Sequence, residues 1–428
     1  MRFLRFFFVY AVAIVLIILT GCSTKHSELS VPTATASPSA TLSPSTAPQP
    51  VEHEPPAVDR IAELVASMSL SEKIGQMVLV GMDGTEVQSD ISSLIKDRQI
   101  GGIILYSNNI VSASQTNKLI NGLKQINQDA GGKLPLLLSA DQEGGRVSRL
   151  PKEIAKFPSS RSVGSTKDAK YAYQVGTALG EAMKAVGLNT DFGPVLDVNT
   201  NPDNPVIDDR AFGTTPKLVS SMGVQEMLGI KSQGVIPVVK HFPGHGDTSV
   251  DSHIGLPVVK HDLERLRSIE FVPFSSAIQE GAPIVMVAHI LMTKLDSKTP
   301  ASMSRIVIQD FLRGELNFNG VVITDDMTMG AVEKVKAIGP ASIQAVLAGA
   351  DIILVGHDLS QQQSVLNALT TAAQSGKIPQ SVIDASVYRI VKLKQSFSLS
   401  DQPTSLADVP ALNKHIQAAL QRGTGGTH

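Results

Sequence analysis

The sequence predicts an α/β protein built on a single TIM (β/α)8 barrel, and three observations predict it. First, eight short apolar runs, at 75–81, 102–106, 134–140, 190–197, 235–240, 283–288, 320–324 and 351–355, are almost continuous rather than alternating. That is the pattern of parallel strands covered on both faces. Second, stretches of helical period lie between them, including 113–128, 168–186, 217–233, 263–279, 306–315 and 339–347. Eight strand-then-helix units in one stretch favour a closed barrel over a doubly wound sheet. Third, polar residues gather at or just past the carboxyl ends of the runs: Asp141, Asp197, Lys240, His241, His289, Asp325, His357 and Asp358. In a barrel these ends converge on one face, whereas in an open sheet they spread along an edge.

In chain order, residues 1–21 read as a signal peptide. Arg2 and Arg5 open it, and 6–19 is a 14-residue run without a charge, shorter than the roughly 20 residues a bilayer span needs. Leu19-Thr20-Gly21-Cys22 resembles a bacterial lipobox. The resemblance implies cleavage before Cys22, the only cysteine in the chain, and a diacylglycerol thioether on its sulfur. The body is thus expected to be lipid-anchored on the outer face of the cytoplasmic membrane. Residues 22–56 read as a disordered linker. Ser, Thr, Pro or Ala fill 23 of the 34 positions after the cysteine, which leaves too little apolar area to offset chain entropy. The barrel is expected over 57–422, and 423–428 reads as a loose tail.

Composition narrows the function. With 428 residues, 42% of them hydrophobic, the chain has ample material for a core, and its formal charge of −2 offers no basic surplus for nucleic acid. One cysteine excludes a disulfide framework and any multi-cysteine metal site. No Gly-x-Gly-x-x-Gly or Walker A pattern occurs, so no nucleotide cofactor is expected. The absence of Trp argues against a long aromatic-lined polysaccharide groove and for a small hydrogen-bonding pocket.

Three constellations carry chemistry. The densest runs from Lys240 to His253, with histidines at 241, 245 and 253. The i, i+4 spacing of His241 and His245 suits a helical zinc pair, but Pro243, Gly244 and Gly246 oppose a helix there, so no metal is expected. Asp251 and His253 are two apart. In extended chain both point to one side, so the carboxylate can fix the imidazole tautomer and equip His253 for acid/base work. A surface histidine beside an acid fits the same spacing. Thr324-Asp325-Asp326 ends the seventh run, where a carboxylate can serve as nucleophile, base or metal ligand; two adjacent acids alternate in direction, so only one should face the barrel axis. A structural reading, with Asp326 capping the following helix and Asp325 making a structural hydrogen bond, fits the same residues. Asp141-Gln142-Glu143-Gly144-Gly145-Arg146-Val147-Ser148-Arg149 follows the third run. Its carboxylates and arginines suit sugar hydroxyls and amide oxygens, or a structural ion-pair network. The same two readings apply to Asp208-Asp209-Arg210.

Together, Lys240 to His253, Asp141 to Arg149 and Ile323-Thr324-Asp325-Asp326 resemble glycoside hydrolase family 3, in its bacterial β-N-acetylglucosaminidase branch. The likeness runs over about 58–394 and includes Pro300-Ala301-Ser302-Met303-Ser304 and Gly349-Ala350-Asp351. It implies a TIM barrel and a retaining, two-step exo-β-N-acetylglucosaminidase acting on N-acetylglucosamine-containing oligosaccharides or muropeptides from the cell wall. By resemblance, Asp325 is the nucleophile, and His253 paired with Asp251 is the acid/base. Asp141, Arg149, Arg210, Lys240 and His241 hold the sugar. No cofactor is implied, and a monomer is expected. Other activities of the family, a β-glucosidase or a phosphate-using phosphorylase, stand as alternatives, as does a non-catalytic lipid-anchored sugar-binding protein. The Thr-Asp-Asp motif, where many β-glucosidases of the family carry Ser-Asp-Trp, favours the hexosaminidase branch.

Overall fold

The computed structural model describes residues 59–252 and 255–421. Cys22, the signal peptide and linker expected over 1–56, His253 and the tail at 423–428 lie outside the described residues. Eight parallel strands form one sheet: β1 (Val78–Gly81), β2 (Gly102–Ile104), β3 (Leu137–Ala140), β4 (Thr190–Asp191), β5 (Ile236–Phe242), β6 (Ile284–Val287), β7 (Val321–Thr324) and β8 (Ile353–Val355). Each pairs with its predecessor in sequence from β2 to β7, and β8 pairs with β1 through Val78–Ile353 and Leu79–Leu354. A parallel bridge between Ile323 and Ile352, supported by the Thr324 N–H donating to Ile352 O at 3.1 Å, brings β7 against β8. The result is a nearly closed barrel inside a ring of helices.

Every strand that the periodicity predicts is present, because each is buried on both faces. Val78, Val80, Ile103, Leu138, Val238, Val285, Val322 and Val355 are all fully buried. Strand ends differ from expectation for local reasons. The run at 75–81 begins as helix: Ser69 and Glu72 close a reciprocal capping box on Leu70–Gln76, and only from Val78 is the chain extended. The run at 190–197 is regular strand only to Asp191, and Pro194, lacking an N–H, limits the ladder beyond it.

The helices outside the barrel follow the same reasoning. Asp168 caps Ala169–Ala185 by accepting from the N–H groups of Lys170 and Tyr171. Pro216 opens Pro216–Ser232 where its missing N–H costs nothing. The stretch expected as one helix over 263–279 breaks into Leu263–Ser268 and Phe271–Gln279, since Pro273 has no hydrogen to continue the ladder across the join. Ile306–Glu315 is wound as a π-helix. Further helices complete the shell, among them Ser89–Arg98, Leu359–Gln374 and Gln380–Ser396, and Val409–Gln421 packs on Ala169–Ala185. Among the described residues no helix is long and apolar enough to cross a membrane.

Two glycines lie where β1 meets β8. A Cβ at Gly81 would stand 1.7 Å from the Gly356 carbonyl oxygen, and one at Gly356 would stand 2.1 Å from Tyr106 Oη. At Gly81 the strands can approach this closely only without a side chain, whereas at Gly356 the close atoms are side-chain tips.

Candidate active site

The carboxyl ends of the strands surround a cavity of about 330 Å³, at the small end of the range for ligand sites. Asp141, Arg149, Arg210, Lys240, His241 and Asp325, singled out from the sequence, all line it. Asp251 is half-buried and does not line the cavity, although its neighbour Ser252 does.

One wall is a buried ion-pair network. Lys240, fully enclosed, donates to Asp141 Oδ1 at 2.6 Å and to Glu143 Oε1 at 2.7 Å. Arg210 grips Glu143 with both arms, Nε to Oε2 at 2.7 Å and Nη2 to Oε1 at 2.8 Å. Burial opposes ionisation of Glu143, but Arg210 and Lys240 outweigh it and hold the carboxyl well below the usual range. The same carboxylates, Asp141 first, keep the buried Lys240 protonated against desolvation. Glu143 belongs to this wall as fully as Asp141. The signal for it is period two: residues two apart after a strand share a side.

A second network fixes the histidines. Asp197 Oδ2 lies 2.7 Å from His241 Nδ1, and Asp197 Oδ1 accepts the His245 N–H at 2.6 Å. Arg210 Nη2 is 3.3 Å from His241 Nε2. A guanidinium only donates, so Nε2 accepts and the ring hydrogen sits on Nδ1, facing Asp197. His245 instead turns Nδ1 to Thr248 Oγ1 at 2.6 Å, and burial pushes its pKa down to about 4. Protein partners thus fix the orientation of both rings, and both line the cavity. Neither the Asp197 bridge nor the inward position of His245 is legible from spacing, because both depend on how the loop after β5 folds over β4.

Asp325 stands at the end of β7. Its Oδ1 accepts the Asp326 N–H at 2.9 Å. Unlike Asp141 and Glu143, it has no Lys or Arg in salt-bridge contact among the described residues. Burial works to protonate it, yet His289, His241, the Asp326 N–H and Lys240 together hold its pKa below the ordinary value. A carboxylate that is ionised, enclosed and not neutralised by a cation suits nucleophilic attack. His289 supports it from behind: Nε2 donates to the Asp326 carbonyl at 3.0 Å, and Nδ1 meets Ser302 Oγ at 2.6 Å. Asp326 does not cap the next helix, Gly330–Glu333, which starts from Met329 without a side-chain cap; its Oδ1 instead closes a local turn on Thr328 N and Oγ1 and accepts from Gly356 N. The expectation that only one of the pair faces inward needs correction, since Asp326 also lines the cavity. The chain turns after Thr324, so strict alternation ends with the strand.

Comparison with known proteins agrees with this geometry. Residues 69–393 match the model described as Glycosyl hydrolase family 3 N terminal domain. Beta-hexosaminidase A of Pseudoalteromonas piscicida is 34% identical over 346 residues, covering 76% of this chain and 58% of that one. Beta-hexosaminidase LpqI of Mycobacterium tuberculosis is 33% identical over 340 residues, covering 78% and 84% respectively. A solved structure of a glycoside hydrolase family 3 beta-N-acetylglucosaminidase from Paenibacillus superposes with a TM-score of 0.78 at 40% identity, covering 82% of this chain and 68% of that one. The chain therefore spans little more than half the length of the Pseudoalteromonas relative and most of the mycobacterial one.

Proposed function

This chain belongs to glycosyl hydrolase family 3, and from that membership we propose that it is a retaining exo-β-N-acetylglucosaminidase. Its substrates are cell-wall fragments ending in β-linked N-acetylglucosamine, and it acts while lipid-anchored through Cys22 outside the cytoplasmic membrane. The observation that carries the reading is Asp325, an ionised carboxylate with no Lys or Arg in salt-bridge contact among the described residues, at a cavity where Asp141 and Glu143 are tied to Lys240 and Arg210.

In the first step an Asp325 oxygen bonds to C1 as the C1–O bond to the leaving group breaks. His253, oriented by Asp251, gives its proton to the departing oxygen. In the second step the imidazole takes a proton from water, whose oxygen displaces Asp325 and restores the β-anomer. Lys240, His241, Arg210, Asp141 and Arg149 hold the ring's substituents. The charge-assisted bonds within the wall keep these donors in place before substrate arrives.

The test is hydrolysis of 4-nitrophenyl β-N-acetylglucosaminide against the β-glucoside, with and without phosphate. The acetamido sugar should be strongly preferred and phosphate without effect; phosphate-dependent release would make the protein a phosphorylase. Asp325→Ala should lower kcat by a factor on the order of 10⁴–10⁶ on every substrate. His253→Ala should lose about 10²–10⁴-fold on poor leaving groups and much less on an activated aryl glycoside. Equal losses across leaving groups would remove His253 from the acid role.

A further inference from the structure

Between β5 and the helix Leu263–Ser268 the chain makes an excursion that carries Asp251 and His253. Asp247 stands near its start and His261 at its end, and the two side chains meet. His261 Nε2 lies 2.5 Å from Asp247 Oδ2, across 14 residues of chain. A carboxylate only accepts, so the ring hydrogen sits on Nε2. The other carboxylate oxygen, Oδ1, accepts from Thr200 Oγ1 at 3.0 Å. Three parts of the chain, the segment after β4 and both ends of the excursion, thus share one carboxylate. Neither Asp247 nor His261 lines the cavity, and the mechanism uses neither.

Backbone carbonyls of the excursion make further ties, each to a different neighbour. Thr248 O accepts from Asn201 Nδ2 at 3.1 Å, after β4. Ser252 O accepts from the Ala331 N–H at 3.1 Å, after β7. On the returning leg, Pro257 O accepts from the Leu291 N–H at 2.9 Å, and Val258–Val259 pairs in parallel with Leu291–Met292, after β6. These bonds hold each leg to its surroundings, whereas Asp247–His261 joins the legs to each other. The two side chains are 31% and 23% exposed. The bond is therefore screened less than an open surface pair, yet it is too exposed to carry much of the stability of the fold.

We propose that Asp247 and His261 are positioning residues for proton transfer. Resting on the function proposed above, their bond sets where the stretch that carries Asp251 and His253 stands relative to Asp325. An imidazole protonates a leaving oxygen only within hydrogen-bond reach, and a misplacement of about 1 Å costs up to about 10²-fold. Ser252, the residue before His253, lines the cavity, so a shift at the joined ends is carried to the place of proton transfer. Asp325 and Lys240 stand at strand ends and keep their positions when the bond is lost. The pair thus serves the acid/base steps and leaves sugar binding to other residues.

The dependence of kcat/KM on the leaving group tests this. Methyl β-N-acetylglucosaminide needs its leaving oxygen protonated, and the 4-nitrophenyl glycoside scarcely does. His261→Ala should lose roughly 5- to 50-fold on the methyl glycoside and less than about twofold on the 4-nitrophenyl one, with Tm and inhibition by N-acetylglucosamine unchanged. His261→Gln, which keeps a donor for Asp247, should recover most of that loss. Combined with His253→Ala, His261→Ala should add nothing further, since no imidazole remains to be placed. A His261→Ala variant that matches the wild type on both glycosides, that loses equally on both, or whose loss multiplies with that of His253→Ala overturns the assignment. Equal losses across leaving groups for His253→Ala itself remove the acid role and this inference with it. A leaving-group-dependent His253→Ala beside an unaffected His261→Ala overturns this inference alone.

Discussion

Glu143 shows how much one carboxylate organises. It is almost fully buried and accepts from both Arg210 and Lys240, so its ionised form is what makes those two cations tolerable in the wall. Glu143→Gln removes a buried charge, leaving Lys240 with Asp141 alone and Arg210 without an ion-pair partner among the described residues. Breaking one partner of such a pair costs about 3–5 kcal/mol. Urea unfolding should register a loss of that order, and kcat/KM should fall with it, because the hydroxyl-binding donors lose their orientation. A variant as stable as the wild type would mean the network is not closed in solution. At this scale the sequence was readable where spacing is local. Asp141 and Glu143 share a side by period two, and Asp325 ends an apolar run. It was silent on Asp197 joining His241 and His245, a contact made across 44 and 48 residues.

Elements meet most tightly where β1 and β8 close the barrel. Gly81 and Gly356 face each other there, yet substituting them should have opposite signatures. At Gly81 a Cβ meets the backbone oxygen of Gly356 at 1.7 Å, and backbone cannot step aside. Gly81→Ala should therefore lower stability by about 1–3 kcal/mol or more, visible as a drop in Tm. At Gly356 the Cβ meets the tips of two side chains, Tyr106 and Asp326, which can swing away. Gly356→Ala should keep most of its stability while losing activity by up to about 10²-fold. Thermal melts and kcat/KM on the same pair of variants check both. The periodicity located every strand, since two-sided burial leaves a continuous apolar run. It located helix ends less well wherever a capping box, as at Ser69, or a proline, as at Pro273, shifted the boundary.

For the whole molecule, the floor of the barrel holds a titration that the active site does not use. Lys394, on Gln380–Ser396, is fully buried and donates to Gln76 Oε1 at 2.7 Å and to the Gly101 carbonyl at 2.9 Å. Burial lowers its pKa from 10.5 to about 7, partly offset by Asp401. Between those values the unfolded chain binds a proton that the folded chain does not, so stability should rise with pH across the window from about 7 to 10.5. Lys394→Met should flatten that part of the stability–pH curve, measured by urea unfolding at several pH values. An unchanged slope would mean the ammonium is solvated. No pattern in the sequence marks Lys394, because its desolvation comes from helices and strands distant in the chain.

What the sequence by itself determined is what adjacent residues can decide: continuous apolar runs for strands covered on both faces, polar residues at their ends, and a local motif dense enough to mark the family. What only the tertiary structure decided is which of those polar groups oppose one another. Barrel closure brings Tyr106 and Asp326, from distant parts of the chain, together beside Gly356. Burial then assigns each group its charge, according to the cation or dipole that packing has set beside it.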